Sequence, residues 1–247
     1  MVCHLSTKEH AMSQVSQARR RAAQCSTCAM RHLCMPEGLS AFETEKLEDV
    51  ISATRPVRRG EALFRTGDTF ESLYAIRSGS IKTVVSREDG REQVTGLHLG
   101  GDALGLDGIG EGRHMSTAIA LEDSSVCIVP YARFERMCRE TGSIQRRLHQ
   151  MMSREIVRET RQLTTLGTLR ADERVARLLL DLSARFTRRG YASAEFTLRM
   201  TRDDIGSYLG ITLETVSRTL SRFQARGLID TRGKFIRIND FDALRAI

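Results

Sequence analysis

No uncharged stretch of this 247-residue chain approaches the roughly 18 consecutive apolar residues of a membrane-spanning helix, and Met1 to Gln17 has no apolar core of the signal-peptide kind. A cytoplasmic location is therefore expected. There is no internal repeat and no low-complexity segment, so neither a repeat array nor a disordered tract is expected. No nucleophile, general base and oxyanion-stabilising group stand together in a recognisable set, and the chain is not expected to be an enzyme. What remains is an ordinary globular balance, 28% charged and 40% apolar, in a chain long enough for a substantial core and two domains. The formal charge of +7 suits a polyanionic partner.

Three of the six cysteines fall within ten residues, in C-S-T-C-A-M-R-H-L-C at residues 25–34. A reducing compartment disfavours a disulfide framework and makes such clustered thiols ligands or redox groups. The spacing C-x2-C-x5-C supplies Cys25, Cys28 and Cys34 as soft ligands and leaves a tetrahedral metal or an iron-sulfur cluster needing a fourth. Spacing alone does not separate zinc from iron-sulfur. A catalytic C-x-x-C wants a helix N-terminus in a βαβ unit, and none is present. His32, inside the stretch, reads as a solvated side chain. Cys127, in S-S-V-C-I-V-P, reads either as a core cysteine of an apolar strand or as a ligand.

Residues 1–38 are polar, helix-poor and cysteine-bearing, ending at Pro36 and Gly38. Ser40 followed by Glu43 predicts a capping box that opens a short helix with Leu47, Val50 and Ile51 as its apolar residues. From Pro56 to about Val129, apolar runs alternate with turns at Gly60, Gly67, Gly79, Gly90 and Gly100-Gly101, which predicts an antiparallel β-roll or barrel within 39–143. Residues 144–169 hold one glycine and no proline. There Met152, Ile156, Leu163 and Leu166 follow a 4-3 spacing, predicting one long helix that offers a stripe to a partner helix. In residues 170–247, Val175, Leu178, Leu179, Leu182 and Phe186 share one helical face.

The strongest local pattern is T-R-D-D-I-G-S-Y-L-G-I-T-L-E-T-V-S-R-T-L-S-R-F, residues 201–223. Thr201 and Thr212 can each cap a helix, and Gly210 permits the left-handed turn between them. Val216, Leu220 and Phe223 then face the core, which leaves Glu214, Ser217, Arg218 and Ser221 outward, as in a helix-turn-helix. Arg218 can donate twice to guanine O6 and N7, and Glu214 can accept from cytosine N4. The run from Gly227 to Arg237 reads as a hairpin around Arg232-Gly233, a wing for phosphates. Residues 170–247 carry fifteen Lys or Arg against ten Asp or Glu, so +5 of the +7 resides there. These features favour double-stranded DNA over a plain helical hairpin.

G-I-T-L-E-T-V-S-R and L-Y-A-I-R-S-G-S-I-K, with the glycine-rich region and long helix, resemble the CRP/FNR family of bacterial transcription regulators, and its FNR branch in particular. The resemblance implies an α+β fold: an N-terminal β-roll of the cyclic-nucleotide-binding jelly-roll type (39–143), a long dimerisation helix (144–169) and a C-terminal winged helix-turn-helix (170–247). It implies a homodimer on a TTGAT-N4-ATCAA type site, with Glu214, Ser217 and Arg218 at base-contacting positions. It also implies that Cys25, Cys28, Cys34 and, as the fourth, Cys127 hold an oxygen-labile [4Fe-4S] cluster, with zinc as the rival occupant. Cys3 and Cys138 match no ligand position. A cyclic nucleotide is not expected, because Met115 stands before Ser116 and Arg113 lies two residues early, so a phosphate would lack its charge-assisted partner. The loop at 86–93 resembles one that contacts RNA polymerase, although Arg91 stands where an acidic residue is the family form.

A half-site reader needs its twin about one helical turn away, roughly 34 Å. The 4-3 seam that includes Ile156 has its missing position at Glu159, so two copies of one carboxylate meet across a twofold axis. Like charges about 4 Å apart cost on the order of 1 kcal/mol in water and about 4 at an effective dielectric of 20. Roughly 1.4 kcal/mol is tenfold, so the dimer is expected to be marginal unless Arg158 or Arg161 of a facing helix neutralises the carboxylate. The expected switch is a cluster-bearing N-terminal segment packed on this helix that favours the dimer.

Overall fold

The computed structural model describes residues 25–35, 39–86 and 90–247. Cys3, Pro36, Gly38 and three positions of the 86–93 loop lie outside the described residues. Helix α1 (Arg31–Cys34) closes the cysteine stretch, and α2 (Ala41–Val50) opens on the expected capping box. Ser40 Oγ accepts from the Glu43 amide at 3.2 Å while Glu43 Oε2 accepts from the Ser40 amide at 2.8 Å.

Eight strands follow: β1 (Ala53–Val57), β2 (Ala62–Phe64), β3 (Ser72–Ser78), β4 (Ser80–Ser86), β5 (Glu92–Leu99), β6 (Ala103–Leu104), β7 (Thr117–Ala120) and β8 (Ser124–Pro130). They form two antiparallel four-stranded sheets, in the orders β1-β8-β3-β6 and β2-β7-β4-β5. Between the sheets Val57, Ile76, Ile81, Ala118 and Val126 are at most 1% exposed. Side chains alternate along a strand, so with Val126 inside the roll its neighbour Cys127 points the other way, toward the helices.

Helix α3 (Tyr131–Glu140) leads into α4 (Gly142–Thr168), whose 27 residues span roughly 40 Å. One face of α4 buries Ile144, Arg147 and Leu148, while Ile156 and Leu163 are 63% and 70% exposed. The rest is α5 (Ala171–Thr187), β9 (Glu195–Thr197), α6 (Arg202–Leu209), α7 (Leu213–Ala225), β10 (Ile229–Arg232), β11 (Phe235–Ile238) and α8 (Phe241–Arg245). Val175, Leu179, Leu182, Ile205, Val216, Phe223 and Ile236 fill its core. That core does not stop at the domain edge, because Val84, Val94, Leu97 and Leu99 of the β-roll belong to the same cluster. Charge reinforces the docking: Asp102 pairs with Arg185 and Arg189, and Lys82 with Asp204.

Candidate DNA-reading face and thiol cavity

The turn between α6 and α7 is set by two glycines. Gly210 ends α6 at φ +64°, a conformation costly for other residues, and a Cβ on Gly206 would approach the Ile211 carbonyl to 2.7 Å. Thr201 caps α6 by accepting from the Asp204 amide at 3.0 Å, and Thr212 caps α7 by accepting from the Thr215 amide at 3.2 Å. Val216 and Phe223 are fully buried, which fixes the rotation of α7 and leaves Glu214, Arg218 and Ser221 exposed with Ser217 half-buried. The Glu214 carboxyl is held below its usual range by its own backbone amide, by the Thr212 hydroxyl and by the Arg218 charge. It is thus an ionised acceptor one turn from a fixed donor, the pair needed to read a G·C edge. The wing pairs Arg232 with Phe235 across Gly233, whose carbonyl accepts from Arg202 at 3.2 Å.

Cys25, Cys28 and Cys34 meet Cys127 at one cavity of about 90 Å3. The loop is closed by the Cys28 amide on the Cys25 carbonyl (3.1 Å) and the Cys34 amide on the Met30 carbonyl (3.0 Å). Arg147 of α4 donates to the Leu33 carbonyl and ties the loop to the long helix. Leu47, Leu73, Phe134 and Ile144 are part of the cavity's apolar wall. Burial, then the charge of Cys127, pushes the Cys25 thiol up to about 11; burial, then Cys28 and Cys127, pushes Cys34 up to about 12. Cys127 is raised by burial and by Cys28. Thiols gathered at one largely apolar cavity are a donor set that a soft polycation would deprotonate and hold. Arg31, Arg77 and Arg147 line the same cavity and favour the thiolate forms. Among the described residues, no three Cys, His, Asp or Glu side chains converge on the point a single metal ion would occupy.

Other positions lie elsewhere. Cys138 is buried on α3 beside Phe134 and Met137, outside the cavity lining. His32 is exposed, its ring on the Arg188 carbonyl at 3.1 Å. Ile156 and Glu159 are exposed on α4. Arg158 is not free to serve as the neutralising cation considered for Glu159. Its guanidinium pairs with Glu155 of its own helix and donates to His98 Nδ1 at 3.2 Å. Burial, then Arg158, drives the His98 pKa well down, so a neutral imidazole accepts that bond and its Nε2 can donate to Thr83 Oγ1 at 3.2 Å. No sequence pattern marks this link, because His98 and Arg158 are 60 residues apart.

Fold and site together define a DNA-binding regulator with an N-terminal β-roll and a C-terminal winged helix-turn-helix. A profile of the Crp-like helix-turn-helix domain matches residues 173–247, and one of the cyclic nucleotide-binding domain matches residues 54–141. The chain is 43% identical over 226 residues to the transcriptional regulatory protein btr of Bordetella pertussis, covering 92% of this chain and 93% of that protein. It is 43% identical over 223 residues to the fumarate and nitrate reduction regulatory protein of Escherichia coli (strain K12), covering 90% and 89%. Among solved structures, FixK2 from Bradyrhizobium japonicum superposes with a TM-score of 0.73 at 30% identity, over 78% of this chain and 96% of that one. The chain belongs to the CRP/FNR family of transcription regulators and is FNR-like. Regulators of this family bind DNA, typically as dimers. No helix among the described residues is long and apolar enough to cross a membrane.

Proposed function

We propose that this regulator is oxygen-responsive, with Cys25, Cys28, Cys34 and Cys127 as ligands of a [4Fe-4S] cluster and DNA binding favoured in its presence. The observation that carries the proposal is the meeting of three loop thiols with a fourth from β8, about a hundred residues away, at one apolar cavity. When bound, the cluster supplies an oxygen-sensitive iron-sulfur core that all four thiolates share. Zinc is the rival, because a four-thiolate set fits it too, and the iron and sulfide content separates the two. Ligation through these thiols would pin the 25–35 loop, and through Arg147 and Leu33 would brace the first turns of α4. Glu214, Ser217 and Arg218 read a TTGAT-N4-ATCAA type palindrome as a cytoplasmic homodimer, and the 86–93 loop faces RNA polymerase.

The β-roll is poorly suited to a cyclic nucleotide. The amides of Met115 and Ser116 both donate to Asp107 Oδ2 at 3.0 Å, the Ser116 hydroxyl joins them at 2.9 Å, and Arg113 donates to the Gly67 carbonyl. A carboxylate already occupies the donors a phosphate would need. The deciding experiment is anaerobic purification with iron and sulfide analysis, followed by operator binding before and after air. About four iron and four sulfide per chain with air-labile operator binding is expected. Iron-free protein that binds its palindrome equally well in air overturns the proposal.

A further inference from the structure

A cleft of about 490 Å3 opens between α4, α5 and the β5–β6 turn, sharing Cys34, Ala75, Ala103, Arg147 and Met151 with the thiol cavity and lying apart from the reading face. Its size falls in the range of roughly 300–1,000 Å3 usual for small-molecule sites. Nine arginines and three carboxylates line it, leaving six formal positive charges. Part of that charge is answered within the fold: Asp102 takes Arg185 and Arg189, Glu155 takes Arg158, and Arg174 donates to three backbone carbonyls. Arg154 and Arg161 on α4, with Arg177 and Arg188 on the facing wall, have no side-chain hydrogen bond or ion pair among the described residues. Two walls of like charge thus face each other across open space, beside the half-buried Tyr208.

We propose that this cleft binds a small polyanion of the nucleoside polyphosphate class. Its phosphates lie between the two arginine walls, where guanidiniums give charge-assisted, two-point contacts, and its base rests against Tyr208. A duplex is too wide to enter, and neither Glu214 nor Arg218 lines the cleft. Because α4 carries the exposed dimer seam and α5 begins the DNA-binding domain, such a ligand would bridge the two and give the regulator a metabolic input beside that of the thiols.

The test is calorimetric titration of the full chain with ATP, GTP and inorganic tripolyphosphate at low and physiological salt. Saturable binding that weakens with salt is expected, with the nucleotides tighter than tripolyphosphate because the latter lacks a ring. Arg154→Gln with Arg177→Gln should weaken it by roughly tenfold or more, and Arg218→Gln should leave it unchanged. All four unpaired arginines are exposed, so Arg161→Gln with Arg188→Gln serves as an independent pair if the first folds poorly. The proposal is overturned by the absence of saturable binding, by loss only in Arg218→Gln, which would place the phosphates on the DNA face, or by binding to monomer that dimer excludes, which would mean a second copy fills the cleft.

Discussion

Asp102 tests how firmly the DNA-binding half is held against the β-roll. Its carboxylate accepts from Arg189 at 2.7 Å, from Arg185 at 2.9 Å and from the Leu99 amide at 2.9 Å. The guanidinium-bearing side chains are only 8% and 5% exposed and the carboxylate 24%, so water screens the triad weakly. Removing one partner of a buried pair costs about 3–5 kcal/mol, because the charge left behind is neither solvated nor answered. Arg185 retains the Leu97 carbonyl and Arg189 the Gly100 carbonyl, so Asp102→Ala should fall at the lower end, about 3 kcal/mol. The chain has no tryptophan, so urea unfolding is followed by far-UV circular dichroism. A double-mutant cycle of Asp102→Ala with Arg185→Ala should return a coupling of about 1.5 kcal/mol or more, and a coupling within about 0.5 kcal/mol of zero refutes the clamp. The acid limb gives a second reading. Burial pushes the Asp102 carboxyl up, but Arg185, Arg189 and the Leu99 amide outweigh it and hold the group below its usual range. A depressed acid contributes stability that is present above its unfolded pKa, about 3.9, and is lost as pH falls through the folded value. Wild-type docking should therefore weaken below about pH 4, and Asp102→Asn should flatten that dependence.

Three further outcomes are expected. Arg218→Ala should cost about 1–3 kcal/mol of operator affinity, with relaxed discrimination at one G·C pair in gel-shift assays; uniform weakening across all base substitutions would make it a phosphate contact instead. Cys127→Ser should lose bound iron on anaerobic purification while Cys138→Ser keeps it, and equal iron in both would remove Cys127 from the ligand set. Glu159→Ala should remain dimeric in air by sedimentation and keep operator binding, and a persistent monomer there counts against repulsion at the seam.

Those elements whose cause is local were legible in the sequence. Ser40 with Glu43, Thr201, Gly210 and Thr212 act within a few residues, so their caps and turn could be read directly and appear in the structure. The 4-3 stripe likewise leaves Ile156 and Leu163 facing out. Contacts between distant segments carried no such mark. Nothing in the spacing joins Asp102 to Arg185 and Arg189 more than eighty residues later, nor His98 to Arg158, nor the β5 leucines to the core of the DNA-binding half. Cys127 lay between the two cases: its strand was evident, but its outward direction follows from Val126 filling the roll.

The long helix explains how a change at the thiols could reach the dimer seam. Ile144, Arg147 and Met151 line the thiol cavity, and the exposed Ile156, Glu159 and Leu163 follow on the same α4. At about 100° per residue, the seam residues lie roughly a third of a turn round from the cavity residues. From Arg147 to Glu159 the axial distance is about 18 Å, short enough for one continuous helix to move as a rigid piece. Release of the 25–35 loop removes the Leu33 carbonyl from Arg147 and frees the first turns of α4 to roll. If Glu159 meets its copy at the seam, as proposed, a small roll there would change how directly the two carboxylates face, where about 1.4 kcal/mol shifts dimerisation tenfold. Arg158, held by Glu155 and His98, lies eleven residues on from Arg147 and so on the same side of α4, where both supports resist such a roll from the face turned away from the seam. On the proposed function, the thiol loop would need no contact with the reading helix to govern DNA binding, since a twofold reader is disarmed once its two copies part.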